Sequence, residues 1–243
     1  MIYKNTNSSN EKKNALLILH QKRSRPGDLG AKLFRRGYSL DIRRPALGEK
    51  LPETMKDHDV AVIFGGPMSA NDTNLDFIKY EIEWINVALE SKKPFLGICL
   101  GAQMLIKNLG GIVEYNDEKS SQIGFFDIIP TEAGIKLFNN QKTFFYWHNE
   151  GFTLPSCCKL LAEGQEFKNQ AFQCNASYGI QFHPEVNFQL HFLWLYYISL
   201  YAPKKLMVNG SQNIVKQIKL RIKHNRNISL WLDHFLDNYL LNL

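Results

Sequence analysis

The sequence predicts an α/β fold, with a mainly parallel central sheet, helices on both of its faces and a helical C-terminal extension. Three observations predict it. Short, continuously apolar runs recur through the first 110 residues, each of the length expected for a strand covered on both sides. The stretches between them carry apolar residues at spacings of three and four, the period of a helix with one buried face. Glycine-containing turns mark the joins. Regular alternation of strand and helix then favours parallel pairing through right-handed crossovers.

Residues 1–14, rich in Asn, Ser and Lys, read as a disordered lead-in. ALLIL (15–19) is the first strand, and the loop and helix of HQKRSRPGDLGAKLFRRG follow, ending at Gly37. A second strand is expected around Ser39–Ile42, and DVAVIFGGP (59–67) is a third that runs into a Gly-Gly-Pro turn. NLDFIKYEIEWINVALES (74–91) places Leu75, Ile78, Ile82, Ile85 and Leu89 along one helix face. PFLGI (94–98) is the next strand, and GAQMLIKNLGG (101–111) is a helix stopped by Gly110 and Gly111. From 112 to 182 the text turns β-rich, in FFDIIP, TFFYWH, KLLAEG, QAFQC and YGIQF. Residues 15–186 are therefore expected to form one domain, with 187–243 as helices packed on it.

Composition narrows the function. The chain has 243 residues, 44% hydrophobic and 21% charged, and a net charge of +6, as an ordinary globular protein would. Its Lys and Arg are dispersed; the densest run, KQIKLRIKHNR (216–226), is too slight to suggest nucleic-acid binding. The longest apolar run, FLWLYYISLY (192–201), is shorter than the roughly 20 residues a bilayer span needs. The N-terminus lacks the apolar core of a secretion signal. Four cysteines, two of them adjacent, make no disulfide framework, and no CxxC pair or HExxH suggests a metal. A reduced, cytoplasmic protein without metal or other cofactor is the expectation, with Cys157, Cys158 and Cys174 as packing residues.

Within GICLG (97–101), Cys99 stands between two glycines where a strand becomes a helix. A nucleophile on such a sharp turn is strained and exposed, and the glycines allow close packing around it. The helix start directs N–H groups and partial positive charge at the sulfur, favouring the thiolate, and the Leu100 N–H is free to meet an oxyanion. This pattern alone leaves a buried structural cysteine as the alternative. A base is supplied by QFHPE (181–185): Pro184 ends the strand at His183, and Glu185 can hold the imidazole in one tautomer. The Gly-Gly-Pro turn offers Gly66 N–H as a second oxyanion donor, with Gly65 allowing the turn. His20 reads more readily as a loop histidine than as a neighbour of the site, and His58, His191, His224 and His234 belong to no constellation.

Taken together, GGPMSAND, GICLGAQ, WHNEGFTLP and QFHPE resemble the class I (triad) glutamine amidotransferases, in particular stand-alone members similar to the amidotransferase domain of GMP synthase. The resemblance runs from His20 to the end, where WLDHFLDNYL is similar to the tails of such proteins. It implies a flavodoxin-like sheet and a catalytic triad of Cys99, His183 and Glu185 that hydrolyses the side-chain amide of glutamine through a γ-glutamyl thioester. It also implies oxyanion donors at Gly66 and Leu100, and substrate contacts from Gly65, Gln103, Gly124, His148, Asn149 and Glu150. Gln103 lies one helical turn beyond Cys99, and a solvated helix glutamine is the alternative there. Asn149 and Glu150 replace the Gly and Asp usual in such relatives, which leaves the choice between glutamine and other γ-glutamyl compounds open, and Gln122 replaces a frequent Glu. Asn149 is expected to tolerate a left-handed turn.

No P-loop or Ser-Gly-Gly pyrophosphatase signature is present, which points to an ammonia acceptor on a separate synthetase subunit. The same triad could open γ-glutamyl peptides, and a catalytically silent binding module is a third reading. The aromatic band FQLHFLWLYY (188–197) reads as core or as a contact between subunits, which leaves homo-oligomerisation open.

Overall fold

Strands β1 (Asn14–Ile18), β3 (Val60–Ile63) and β4 (Phe95–Ile98) are apolar almost throughout because the sheet they share is covered on both faces. In the computed structural model, which describes residues 13–116, 118 and 120–242, successive residues of these strands enter two different cores. Ala15, Leu17, Val60, Val62, Leu96 and Ile98 pack with Leu29, Leu33 and Trp231. Leu16, Ile18, Ala61, Ile63 and Phe95 pack with Ile78, Ile85 and Met104 on the other side. A period of two along each strand thus distributes an unbroken apolar run between two layers.

The sheet has eight strands in the order β2-β1-β3-β4-β12-β11-β10-β7. Strand β2 is Ser39–Arg43, β7 is Ile129–Pro130, β10 is Lys159–Glu163, β11 is Asn169–Cys174 and β12 is Ser177–Ile180. The first five in that order are parallel, and β11, β10 and β7 continue antiparallel. Two short ribbons stand apart: β5 (Val113–Tyr115) with β9 (Glu150–Phe152), and β6 (Gln122–Asp127) with β8 (Thr143–His148). Because β1 is flanked by β2 on one side and β3 on the other, the chain reverses its direction of winding there. Crevices at the carboxyl ends of strands beside such a reversal are where α/β folds place their chemistry.

Helices α2 (Asp76–Glu90) and α3 (Leu100–Asn108) cover one face. The buried side of α2 is Ile78, Glu81, Trp84, Ile85 and Ala88, while Ile82 and Leu89 are only half-buried. The apolar stripe expected from Leu75 to Leu89 is therefore rotated so that Glu81 points inward. A buried partner for that carboxylate is the reason, and it lies at the site.

Helix α1 (Gly27–Arg35), the single turn α4 (Ile135–Phe138) and helix α6 (Ile214–Phe235) share the other face. Ile228, Trp231, Leu232 and Phe235 of α6 are fully or almost fully buried, each contributing about 1.5–3 kcal/mol by removal from water. Trp231 stacks on Phe138 and Phe235. Lys32 and Arg36 on the α1 side meet Asp233 of α6, and Arg36 also meets Asp237. The basic run 216–226 is not one solvated face, since Gln217 and Arg221 are wholly buried. Helix α5 (Phe188–Tyr201) buries Leu190, His191 and Leu195 and leaves Phe192, Tyr196, Leu200 and Tyr201 exposed. Among the described residues no helix is long and apolar enough to cross a membrane. The lead-in expected at 1–14 lies outside the described residues up to residue 12, and Asn14 already belongs to β1.

Candidate active site

Cys99 occupies the single residue between β4 and α3, with φ 51° and ψ −105°. A non-glycine residue held in such a conformation stores about 1–3 kcal/mol, so its surroundings must impose it. They do so through two backbone bonds: Cys99 N donates to Ile180 O at 2.8 Å, and Cys99 O accepts from Gln103 N at 3.0 Å. The neighbouring glycines permit the bend by close approach. A Cβ on Gly101 would lie 2.1 Å from Ile63 O, and one on Gly97 would lie 2.5 Å from Gly101 O. Cys99 is 6% exposed, and its thiol faces Trp147 O at 3.8 Å. Among the described residues, neither Leu100 N–H nor Gly66 N–H donates to a protein acceptor.

His183 follows β12 and is fixed by its own N–H, which donates to Phe145 O at 2.8 Å. Its Nδ1 donates to Glu185 Oε1 at 2.8 Å, with both side chains buried. The other nitrogen, Nε2, is buried without a hydrogen-bond partner. Burial opposes charge on this ring, but Glu185 and the nearby Cys99 sulfur outweigh it and raise its pKa to about 10. Gly65 shows how close the parts are. A Cβ there would stand 2.6 Å from His183 Cε1 and 3.3 Å from Cys99 Cβ. Thiol, imidazole and carboxylate, drawn from two distant segments, thus meet at the carboxyl edge of β3, β4 and β12.

His20, read from sequence as a loop histidine, does lie in a loop, but it is 1% exposed. Its Nε2 pairs with Glu81 Oε2 at 2.9 Å, and Nδ1 reaches Gly65 O at 3.1 Å. Burial lowers the ring's proton affinity, while Glu81 and the Gly65 carbonyl raise it further, leaving the pKa above the ordinary value. This buried pair explains the rotated face of α2, and it holds the peptide that abuts His183.

The remaining expected contacts divide. Gln103 is buried and does not face solvent: its Nε2 donates to Glu150 O at 3.1 Å and to Gln181 Oε1 at 3.2 Å. Glu150 is buried too, and its Oε1 accepts from Ser69 Oγ at 2.9 Å, joining WHNEG to the GGPMSAND loop. His148 donates from Nδ1 to Glu150 O at 2.9 Å and faces the Gln122 amide at 3.1 Å. Burial above all lowers its pKa to about 3, so it is a neutral wedge between strands. Asn149 is exposed and does not have a positive φ, so the tolerance expected of it is not called upon. Gly124, with φ +128°, presents its face to Gln212, whose Oε1 would stand 2.6 Å from an added Cβ. Gln212 of the C-terminal segment therefore packs against the side-chain face of Gly124.

Sequence reasoning missed Arg221. Its guanidinium lies over the rings of Phe125 and Phe145 at 4.8 and 5.1 Å, and Nε donates to His191 Nδ1 at 3.3 Å. His191, its pKa lowered to about 4 by burial and by Arg221, donates from Nε2 to Gln217 Oε1 at 3.1 Å. Arg221 Nη2 and Glu185 Oε2 are both buried without hydrogen-bond partners. Burial lowers the Arg221 pKa to about 9, against the pull of the Glu185 carboxylate. The one available signal was an arginine at a position of α6 whose neighbours at helical spacing, Gln217 and Ile228, are also buried.

The fold has known counterparts. The family model of glutamine amidotransferase class-I matches residues 29–192, more than half of the chain, which therefore belongs to that family. A glutamine amidotransferase-like protein of Salmonella typhimurium is 34% identical over 160 residues, 62% of this chain and 66% of that protein, just under two thirds of its length. One subunit of the glutamine-hydrolyzing GMP synthase of Saccharolobus solfataricus is 33% identical over 157 residues, 62% of this chain and 78% of the relative. A crystal structure of a glutamine amidotransferase from Thermotoga maritima superposes with a TM-score of 0.85 at 25% identity, covering 94% of this chain and 98% of that one.

Proposed function

We propose that this chain hydrolyses the side-chain amide of glutamine and passes the ammonia to an acceptor reaction on a separate synthetase subunit. The observation that carries the proposal is the meeting of Cys99, His183 and Glu185, with His183 Nδ1 bonded to Glu185 and the open face of Gly65 set against both the His183 ring and the Cys99 Cβ. Cys99 Sγ would attack the amide carbon. The tetrahedral oxyanion would be met by the Leu100 and Gly66 N–H groups, and loss of one such donor typically costs about 3 kcal/mol of barrier. Protonated His183 would give its proton to the departing nitrogen as the carbon–nitrogen bond breaks, leaving a γ-glutamyl thioester and ammonia. The now neutral ring would take a proton from water as water attacks the thioester, and glutamate would leave as the thiolate and imidazolium reform.

In the same proposal, Glu150 and the loop that its carboxylate ties to Ser69 help to hold the α-amino and α-carboxylate end of the substrate. The catalytic unit is residues 15–186, working in the cytoplasm, and 187–243 support it from behind. A relative named as one subunit of GMP synthase favours the two-subunit arrangement. The test is glutamate release from glutamine and from a γ-glutamyl dipeptide, alone and with cell extract. Cys99-dependent release from glutamine, stimulated by extract, is the expected result. Turnover confined to the dipeptide would replace the proposal by a γ-glutamyl peptide hydrolase, and no Cys99-dependent turnover under any condition would refute both.

A further inference from the structure

Cys157, Cys158 and Cys174 read from sequence as packing residues, and the fold gathers all three. Lys159 pairs with Gln173 across the antiparallel β10–β11 ladder, so the next step of that register sets Cys158 opposite Cys174. Cys157, adjacent in sequence, turns its sulfur to within 4.0 Å of that of Cys158. The three sulfurs lie within 4.8 Å of one another. Cys174 is buried, Cys158 half-buried and Cys157 exposed, so the cluster opens to solvent on one side only. It stands far from the catalytic thiol. Ser177 pairs with Phe95 at the start of β4, which places the β11–β12 turn at the sheet edge opposite Cys99.

We propose that these three cysteines form a thiolate site for a thiophilic d10 metal ion, zinc(II) in the first instance, with a water as fourth ligand on the Cys157 side. Tetrahedral zinc with Zn–S bonds of about 2.3 Å sets its sulfurs about 3.8 Å apart, so the observed separations need a contraction of less than about 1 Å. Among the described residues no histidine or carboxylate joins the group, and an all-sulfur donor set selects soft cations over magnesium or calcium. Binding replaces protons: one zinc(II) and three thiols give a zinc tris-thiolate and three protons. Burial above all, and then the neighbouring sulfurs, push the Cys158 thiol well above the ordinary cysteine range. A bound ion would tie the β9–β10 loop to the end of β11.

The test uses the full chain carrying Cys99→Ala, so that the catalytic thiol adds no ligand. Reduced, chelator-treated protein is titrated with zinc(II) against a chromogenic competitor, with cobalt(II) as a spectroscopic probe. The expected result is one equivalent bound, three protons released, thiolate-to-cobalt charge-transfer bands and a raised Tm. Each of Cys157→Ser, Cys158→Ser and Cys174→Ser should weaken binding at least tenfold. Exposed Cys157 keeps the test informative should substitution of buried Cys174 impair folding. Binding equal to that of the triple serine variant, cobalt spectra without thiolate bands, or a disulfide within the trio that excludes zinc would each overturn the proposal.

Discussion

Substituting Gly65→Ala adds one methyl group where the structure has no room for it. The new Cβ would stand 2.6 Å from His183 Cε1, against an ordinary carbon–carbon contact of about 3.5–4.0 Å. Ring or loop must therefore move by about 1 Å. The ring cannot retreat freely, because Nδ1 is bonded to Glu185 at 2.8 Å and the backbone N–H to Phe145 O at 2.8 Å. The loop is held as well, since Gly65 O accepts from the buried His20. A misplacement of this size costs a rate factor of about 10², or roughly 2.7 kcal/mol of barrier. Overpacking should lower stability by about 1–3 kcal/mol. Initial rates of glutamate release report the first effect and urea unfolding the second. A variant within about threefold of the parent in kcat/KM, with unchanged stability, would refute the packing logic that joins Gly65, Cys99 and His183.

Other outcomes follow from the buried charges. His183, with a pKa raised from 6.5 to about 10, contributes stability that is complete below pH 6.5 and is lost as pH rises through about 10. His148, lowered to about 3, works in the opposite sense. The unfolded chain gains a proton below 6.5 that the folded one refuses, so stability falls by up to about 1.4 kcal/mol per unit as pH drops toward 3. Ring-proton titration by NMR with His→Gln assignments, alongside unfolding at several pH values, checks both. Glu81→Gln leaves a neutral partner for His20 and should destabilise by about 3 kcal/mol with a loss of activity passed through the Gly65 peptide; wild-type stability by urea unfolding would contradict this. Arg221→Met removes the buried cation behind Glu185 and should shift the acid limb of kcat/KM to higher pH, with Arg221→Lys partly restoring it. An unmoved pH profile would make Arg221 a purely structural residue.

The two segments that build the candidate site were legible because each carries its meaning locally. A cysteine between glycines at a strand-to-helix switch, and a histidine fixed by the proline after it, need no knowledge of the rest of the chain. The parallel strands were legible for a similar reason, since apolar runs without alternation need cover on both faces. What stayed hidden depends on partners distant in sequence. His20 and Glu81 are 61 residues apart, and their pairing exists only once β1 and α2 are placed around β3. The packing of Gln212 on Gly124 joins residues 88 positions apart, and the local sequence of neither announces it. Arg221 sits in a stretch whose composition suggests solvent, and only the stacking of α6 on Phe125 and Phe145 buries it. The cysteine trio required the register of β10 against β11, and strand text alone does not supply that register.

The most direct measurement is covalent capture at Cys99. Incubating the protein, with extract present, with an electrophilic glutamine analogue and mapping the adduct by peptide mass spectrometry reads out nucleophile and substrate together. Stoichiometric modification at Cys99 is predicted, protected by glutamine, absent in Cys99→Ala and slowed at least a hundredfold in His183→Ala. Modification centred on Cys157, Cys158 or Cys174, or glutamate release that persists in Cys99→Ala, would contradict the account.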